Sequence, residues 1–132
     1  MTDESYPDDL KYHPDHDWAR IAGDEASLGI TWFAQDSLGE LVHFEPPDIG
    51  SNVAKDESYG EVESVKAVSD LISPLSGEVL AVNQKVLDEP ETVNADPYGE
   101  GWMVRVRIGD ETSLASLLDQ AAYERQCAEE QH

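Results

Sequence analysis

Short apolar runs, each ended by a turn signal, recur along this chain and point to strands. They are W-A-R-I (Trp18 to Ile21) before Gly23-Asp24, A-S-L-G-I-T (Ala26 to Thr31), L-V-H-F (Leu41 to Phe44) before Pro46-Pro47, Y-G-E-V (Tyr59 to Val62), G-E-V-L-A-V-N (Gly77 to Asn83) and W-M-V-R-V-R-I (Trp102 to Ile108). Runs of this length between Gly and Pro read as strands rather than helices. In the last, Trp102, Val104, Val106 and Ile108 alternate with Met103, Arg105 and Arg107, so one face is expected to be buried. Glu61 to Val65 and Val68 to Ile72 read as two strands of a protruding hairpin, with Lys66 at or near its tip. That tip lacks the Asn-Gly or Gly pair that favours a tight hairpin. The tripeptide G-E-V occurs at Gly60 and again at Gly77, as if two similar strand starts flanked the hairpin. The whole pattern predicts a mainly β chain, an antiparallel sandwich or small barrel.

Two helices interrupt it. W-F-A-Q-D-S-L-G, Trp32 to Gly39, reads as a short helix stopped by Gly39. T-S-L-A-S-L-L-D-Q-A-A-Y-E carries Leu114, Leu117, Leu118 and Ala121 at helical spacing after the candidate caps Asp110 and Thr112, which predicts a C-terminal helix. Order is expected to begin near Trp18. The division is an acidic arm over 1–11, one domain over 12–125 and a tail over 126–132. A chain of 132 residues suits one core and not two.

Charge excludes several functions. With 8 Lys+Arg against 29 Asp+Glu, the formal net charge is -21, which repels nucleic acid and anionic lipid and favours basic protein partners. A saline cytoplasm would also select such a surface. Cys127, the single cysteine, fits a reducing compartment. The N-terminal residues lack the basic start and apolar run of a signal peptide, and no stretch reaches transmembrane length, so a cytoplasmic protein is expected. His13 and His16 have no cysteine partners and do not suggest a metal site. No nucleophile-elbow motif is present, and Gly99 and Gly101 without a following helix are no dinucleotide fingerprint. They read instead as a turn that seats Trp102 in the core.

Five blocks, in order, resemble the H-protein of the glycine cleavage system. They are Y-x-x-x-H-D-W at Tyr12 to Trp18, G-I-T-x-x-A-Q-x-x-L-G at Gly29 to Gly39, G-x-V-E-S-V-K-A-x-S-D at Gly60 to Asp70, S-P-x-S-G-E-V at Ser73 to Val79, and N-A-D-P-Y-G-E-G-W at Asn94 to Trp102. The resemblance implies a barrel-sandwich hybrid, the lipoyl- and biotinyl-carrier fold, with lipoic acid in amide linkage to the position matching Lys66. It implies a carrier and not an enzyme. A pyridoxal-phosphate glycine decarboxylase would load an aminomethyl group on the arm, a tetrahydrofolate-dependent aminomethyltransferase would remove it, and dihydrolipoamide dehydrogenase would reoxidise the dithiol.

The same resemblance marks Glu63 and Ser64 as candidates for recognition by lipoylating enzymes. Asp15, Asp17 and Asp70 are candidate cleft contacts to the loaded arm, with solvated strand-end carboxylates as the ordinary alternative. Asp17 stands where the family has Glu. A biotin carrier would flank its lysine with methionines, and a 2-oxoacid dehydrogenase lipoyl domain would place Asp before it; Val65 and Ala67 fit neither. An H-like paralogue in lipoyl relay or a redox-linked system, and an unmodified β module, remain the alternatives. A mobile carrier is best served by a monomer.

Overall fold

The computed structural model describes residues 6–109 and 114–130. Among the described residues nine strands form two antiparallel sheets. The larger joins β1 (Lys11–Tyr12), β2 (Asp17–Ala22), β3 (Glu25–Ile30), β9 (Val104–Ile108), β8 (Gly77–Val82) and β5 (Asn52–Val53), in that order. The smaller joins β4 (Leu41–Glu45), β6 (Ser58–Ser64) and β7 (Val68–Ile72). Inward residues of both sheets, among them Ala26, Leu28, Phe44, Val62, Leu71, Val79 and Val106, share one buried cluster. This is the packed arrangement that the apolar runs predict.

Helix α1 (Trp32–Leu38) is set by its ends. Thr31 accepts a hydrogen bond from the Ala34 N–H, and Gly39, at φ 84°, donates its N–H to the Gln35 carbonyl. Two short helices, α2 (Gln84–Asp88) and α3 (Thr92–Ala95), follow β8; neither is long enough to show a helical period in the sequence. Asn83 caps α2 through its side chain, and its amide also donates to the carbonyls of Glu100 and Trp102.

The C-terminal helix, α4 (Gln120–Glu130), starts later than its leucine spacing suggests. Leu118 exchanges backbone hydrogen bonds with Tyr12, both 2.8 Å, so the chain is extended there. Asp119 then caps the helix, accepting from the Ala122 N–H at 2.9 Å. The expected caps Asp110 and Thr112 lie outside the described residues.

A second buried cluster holds α4 to the barrel. Tyr6, Leu10, Tyr12, Trp18, Trp32, Tyr123 and Cys127 form it, and the Tyr12 and Tyr123 rings stack with centroids 4.6 Å apart. Order therefore begins before Trp18, and α4 stays anchored as far as Cys127. Trp102 sits beside this cluster, partly exposed, with the Arg105 guanidinium 5.0 Å from its ring centre, while Met103 is the residue fully buried. The expectation of a core Trp102 fails because β9 begins at Val104 and the chain turns before it.

Trp18 organises the interior between the two clusters. Its indole N–H reaches the carbonyls of Ile30 and Pro97, each at 3.0 Å. Gly29 makes room for the ring: a Cβ there would lie 2.7 Å from Trp18 Cε2. Gly29→Ala is expected to cost about 3 kcal/mol, the upper range for overpacking a tight site. Urea denaturation against the parent protein checks it.

Candidate functional site

The hairpin of β6 and β7 ends in a two-residue turn. Glu63 pairs with Val68, and the next pair, Ser64 and Ala67, closes over Val65 and Lys66 through the Ser64 N–H to Ala67 carbonyl bond of 2.8 Å. Neither Val65 nor Lys66 has positive φ, so the glycine-type turn is not used. The Ser64 hydroxyl oxygen replaces what glycine would supply, accepting from the N–H groups of Lys66 at 3.2 Å and Ala67 at 3.0 Å. Serine thus makes the tip through a side-chain turn.

The tip is also tied sideways. The Val65 N–H donates to the Glu40 carbonyl at 3.1 Å. On either side of Glu40, the Asn94 carboxamide grips the chain: its oxygen accepts from the Leu41 N–H, and its nitrogen donates to the Gly39 carbonyl and the Gln35 side chain, all at 2.9 Å. Asn94 lies in α3, so a helix the sequence concealed fixes the strand beside the tip.

Lys66 itself is exposed. Its stem runs past Gly39, where a Cβ would lie 3.5 Å from Lys66 Cε. Among the described residues no carboxylate lies within ion-pair distance of its ammonium, so Glu61, Glu63 and Asp70 do not neutralise it. A stiff backbone therefore carries a free amine, which suits covalent attachment of a long arm.

The other candidates separate. Glu63 is exposed on the outer sheet face and Ser64 turns inward. Asp70 is exposed, opposite Glu61. Asp15 is exposed, and its N–H donates to His13 Nδ1 at 3.0 Å. That acceptor role leaves the His13 proton on Nε2, which donates to Asp56 Oδ1 at 2.6 Å. The bond from His13 holds the Asp56 carboxyl below its ordinary value.

Asp17 is unlike the rest. It is 2% exposed, close to Tyr59 and the Ile72 backbone at the root of the hairpin. Burial pushes its carboxyl well above the carboxylate range, and the bond from the Ile72 N–H offsets part of that rise. Asp17 and the Tyr59 hydroxyl are close enough to shift each other's proton affinity but fall short of hydrogen-bond geometry, and among the described residues neither the hydroxyl nor Asp17 Oδ2 has another partner. A solvated strand-end carboxylate is thus ruled out for Asp17, and its buried neighbour Tyr59 carries no signal legible in the sequence.

Two sheets enclosing one core, with a lysine held out on a stiff hairpin tip, define a swinging-arm carrier domain of the lipoyl and biotinyl type. Comparison with known proteins narrows the class. Residues 10–130 match the family model described as glycine cleavage H-protein. The chain is 51% identical over 120 residues to a probable glycine cleavage system H protein of Haloarcula marismortui, covering 91% of this chain and 94% of the relative. It is 52% identical over 125 residues to the glycine cleavage system H protein of Rubrobacter xylanophilus, covering 95% and 97%. A crystal structure of the H protein from Mycobacterium marinum superposes with a TM-score of 0.84 at 40% identity, covering 93% of this chain and 99% of that one. The chain belongs to the glycine cleavage H-protein family, whose members are lipoyl carriers without catalysis of their own.

Two outcomes follow from the geometry. Asn94→Ala removes three hydrogen bonds and is expected to cost about 2 kcal/mol, with faster amide exchange at Val65 as the local signature. Asp17 binds its proton more tightly folded than unfolded, so its contribution is complete below its unfolded pKa and is lost as pH rises through the folded one. The stability difference between wild type and Asp17→Asn should therefore shrink, or change sign, from pH 4 to pH 8 in urea titrations.

Proposed function

We propose that Lys66 carries lipoic acid as an amide and that the chain serves the glycine cleavage system as its mobile carrier. The observation that supports this most directly is the exposed amine, without an ion-pair partner among the described residues, on a turn locked by Ser64 and by the Glu40 carbonyl. When bound, the lipoyl dithiolane supplies the group-carrying and redox chemistry. The chain's own residues hold the root of the arm still while leaving the arm free, so that reach comes from the arm and position from the barrel.

Glycine decarboxylase would load the arm, the tetrahydrofolate-dependent aminomethyltransferase would unload it, and dihydrolipoamide dehydrogenase would restore it. Lipoylating enzymes would read Glu63 on the outer face, with Ser64 shaping the turn they receive. Asp17 is our candidate to meet the amine of the loaded arm, because a buried carboxyl whose Oδ2 faces only the poorly aligned Tyr59 hydroxyl gains from a cation. Asp15 and Asp70 would act at the rim. We further propose a single carrier domain acting as a monomer in the cytoplasm; among the described residues no helix is long and apolar enough to cross a membrane.

Lys66→Arg keeps the charge and removes the acceptor amine. Expressed with a lipoylating enzyme, the wild type should gain the mass of one lipoyl group mapping to Lys66, and the variant should gain none. Glycine-dependent exchange of labelled bicarbonate by the decarboxylase should then fall to background with the variant. A gain at another lysine, or exchange supported by the variant, would reject the assignment.

A further inference from the structure

The outer face of the β4–β6–β7 sheet carries a pattern that folding does not account for. Direct register places Glu45 opposite Glu61 and Glu61 opposite Asp70, so carboxylates on three strands cross the sheet in one row. Like charges directly opposite destabilise a sheet. Glu45 has His43 at 2.9 Å, but among the described residues Glu61 and Asp70 have no cation within ion-pair distance. Nearer the tip the surface changes character. Val68 stands opposite Glu63, Val42 lies at the β4 bulge and Val65 in the turn. They are 61%, 50% and 69% exposed, and of the four large hydrophobic side chains exposed among the described residues these are three. Register places all three at the tip end of this sheet, the end that carries Lys66.

We propose that this face is the docking surface for the glycine decarboxylase that takes the Lys66 arm into a buried site, and that the mouth of this enzyme pairs a small apolar contact with a strip of Arg or Lys. The inference rests on Lys66 bearing the arm. An enzyme that buries the arm must cover the tip end of the sheet that carries it, and the valine patch lies there. The patch is too small for a permanent interface, which suits a carrier that must leave. The carboxylate row beside it attracts cationic side chains from a distance and raises the rate of encounter. A second copy of the chain would bring the same row against itself, so charge disfavours self-association through this face.

The test uses lipoylated full-length protein as the varied substrate of the pyridoxal-phosphate glycine decarboxylase in the bicarbonate exchange assay. Glu45→Gln with Glu61→Gln should lower kcat/KM about tenfold at low salt with kcat unchanged, and the loss should close by ~0.5 M salt. The same pair should raise the melting temperature, because the repulsion is gone; impaired docking in a more stable protein excludes misfolding as the cause. Val42→Thr with Val68→Thr, which keeps shape and strand preference, should raise KM about tenfold at every salt concentration. Unchanged kcat/KM in both pairs, with normal turnover of the wild type, would overturn the proposal. So would a loss confined to the lipoylation step, or a valine pair that dissolves a dimer seen by sedimentation. Wild type that is lipoylated but never turned over would instead overturn the carrier reading beneath it.

Discussion

Everything distinctive about this molecule depends on a backbone turn that must be rigid while the side chain it presents must be free. The Ser64 hydroxyl meets the first demand by binding the amides of Lys66 and Ala67, and the Glu40 carbonyl adds a lateral tie at Val65. Neither contact uses the lysine side chain. Rigidity comes from backbone amides, so the amine is left to chemistry.

That lateral tie is as good as the segment behind it, and there the structure reaches deep. Glu40 follows Gly39, which ends α1 in a left-handed conformation, and Asn94 holds both flanks of Glu40 from α3. Gly101 allows the turn after α3, because a Cβ there would lie 2.6 Å from the Asp96 carbonyl oxygen and 2.9 Å from Val93 Cα. Trp18, bonded to Ile30 and Pro97, ties that same turn to the strand leading into α1. Sequence blocks far apart in the chain are therefore parts of one support running from the Trp18 ring to the tip.

How much of this was legible follows from range. Alternation located the longer strands, and α1 was readable because its stop at Gly39 is local. β1 and β5, two residues each, carry too few positions for any period. The start of α4 depends on a distant partner: Leu118 fits the helical spacing, yet Tyr12 claims its backbone, and the helix waits for Asp119. In the site, Lys66 was found through its family resemblance and its place near the tip. The grip of Asn94 on the chain around Glu40 and the burial of Asp17 beside Tyr59 were not, because both arise from contacts between elements distant in sequence.

The period of the strand explains how so short a motif serves both folding and recognition. Along β6, Val62 and Ser64 turn inward while Glu61 and Glu63 turn outward. The inward residues fill the core and build the turn; the outward ones touch nothing the fold requires. A change at Val62 or Ser64 alters where the lysine is held, whereas one at Glu61 or Glu63 alters what meets it. With a charge of -21 the chain has acids to spare, and placing several in direct register beside the arm puts the cost of their repulsion where a cationic visitor would relieve it.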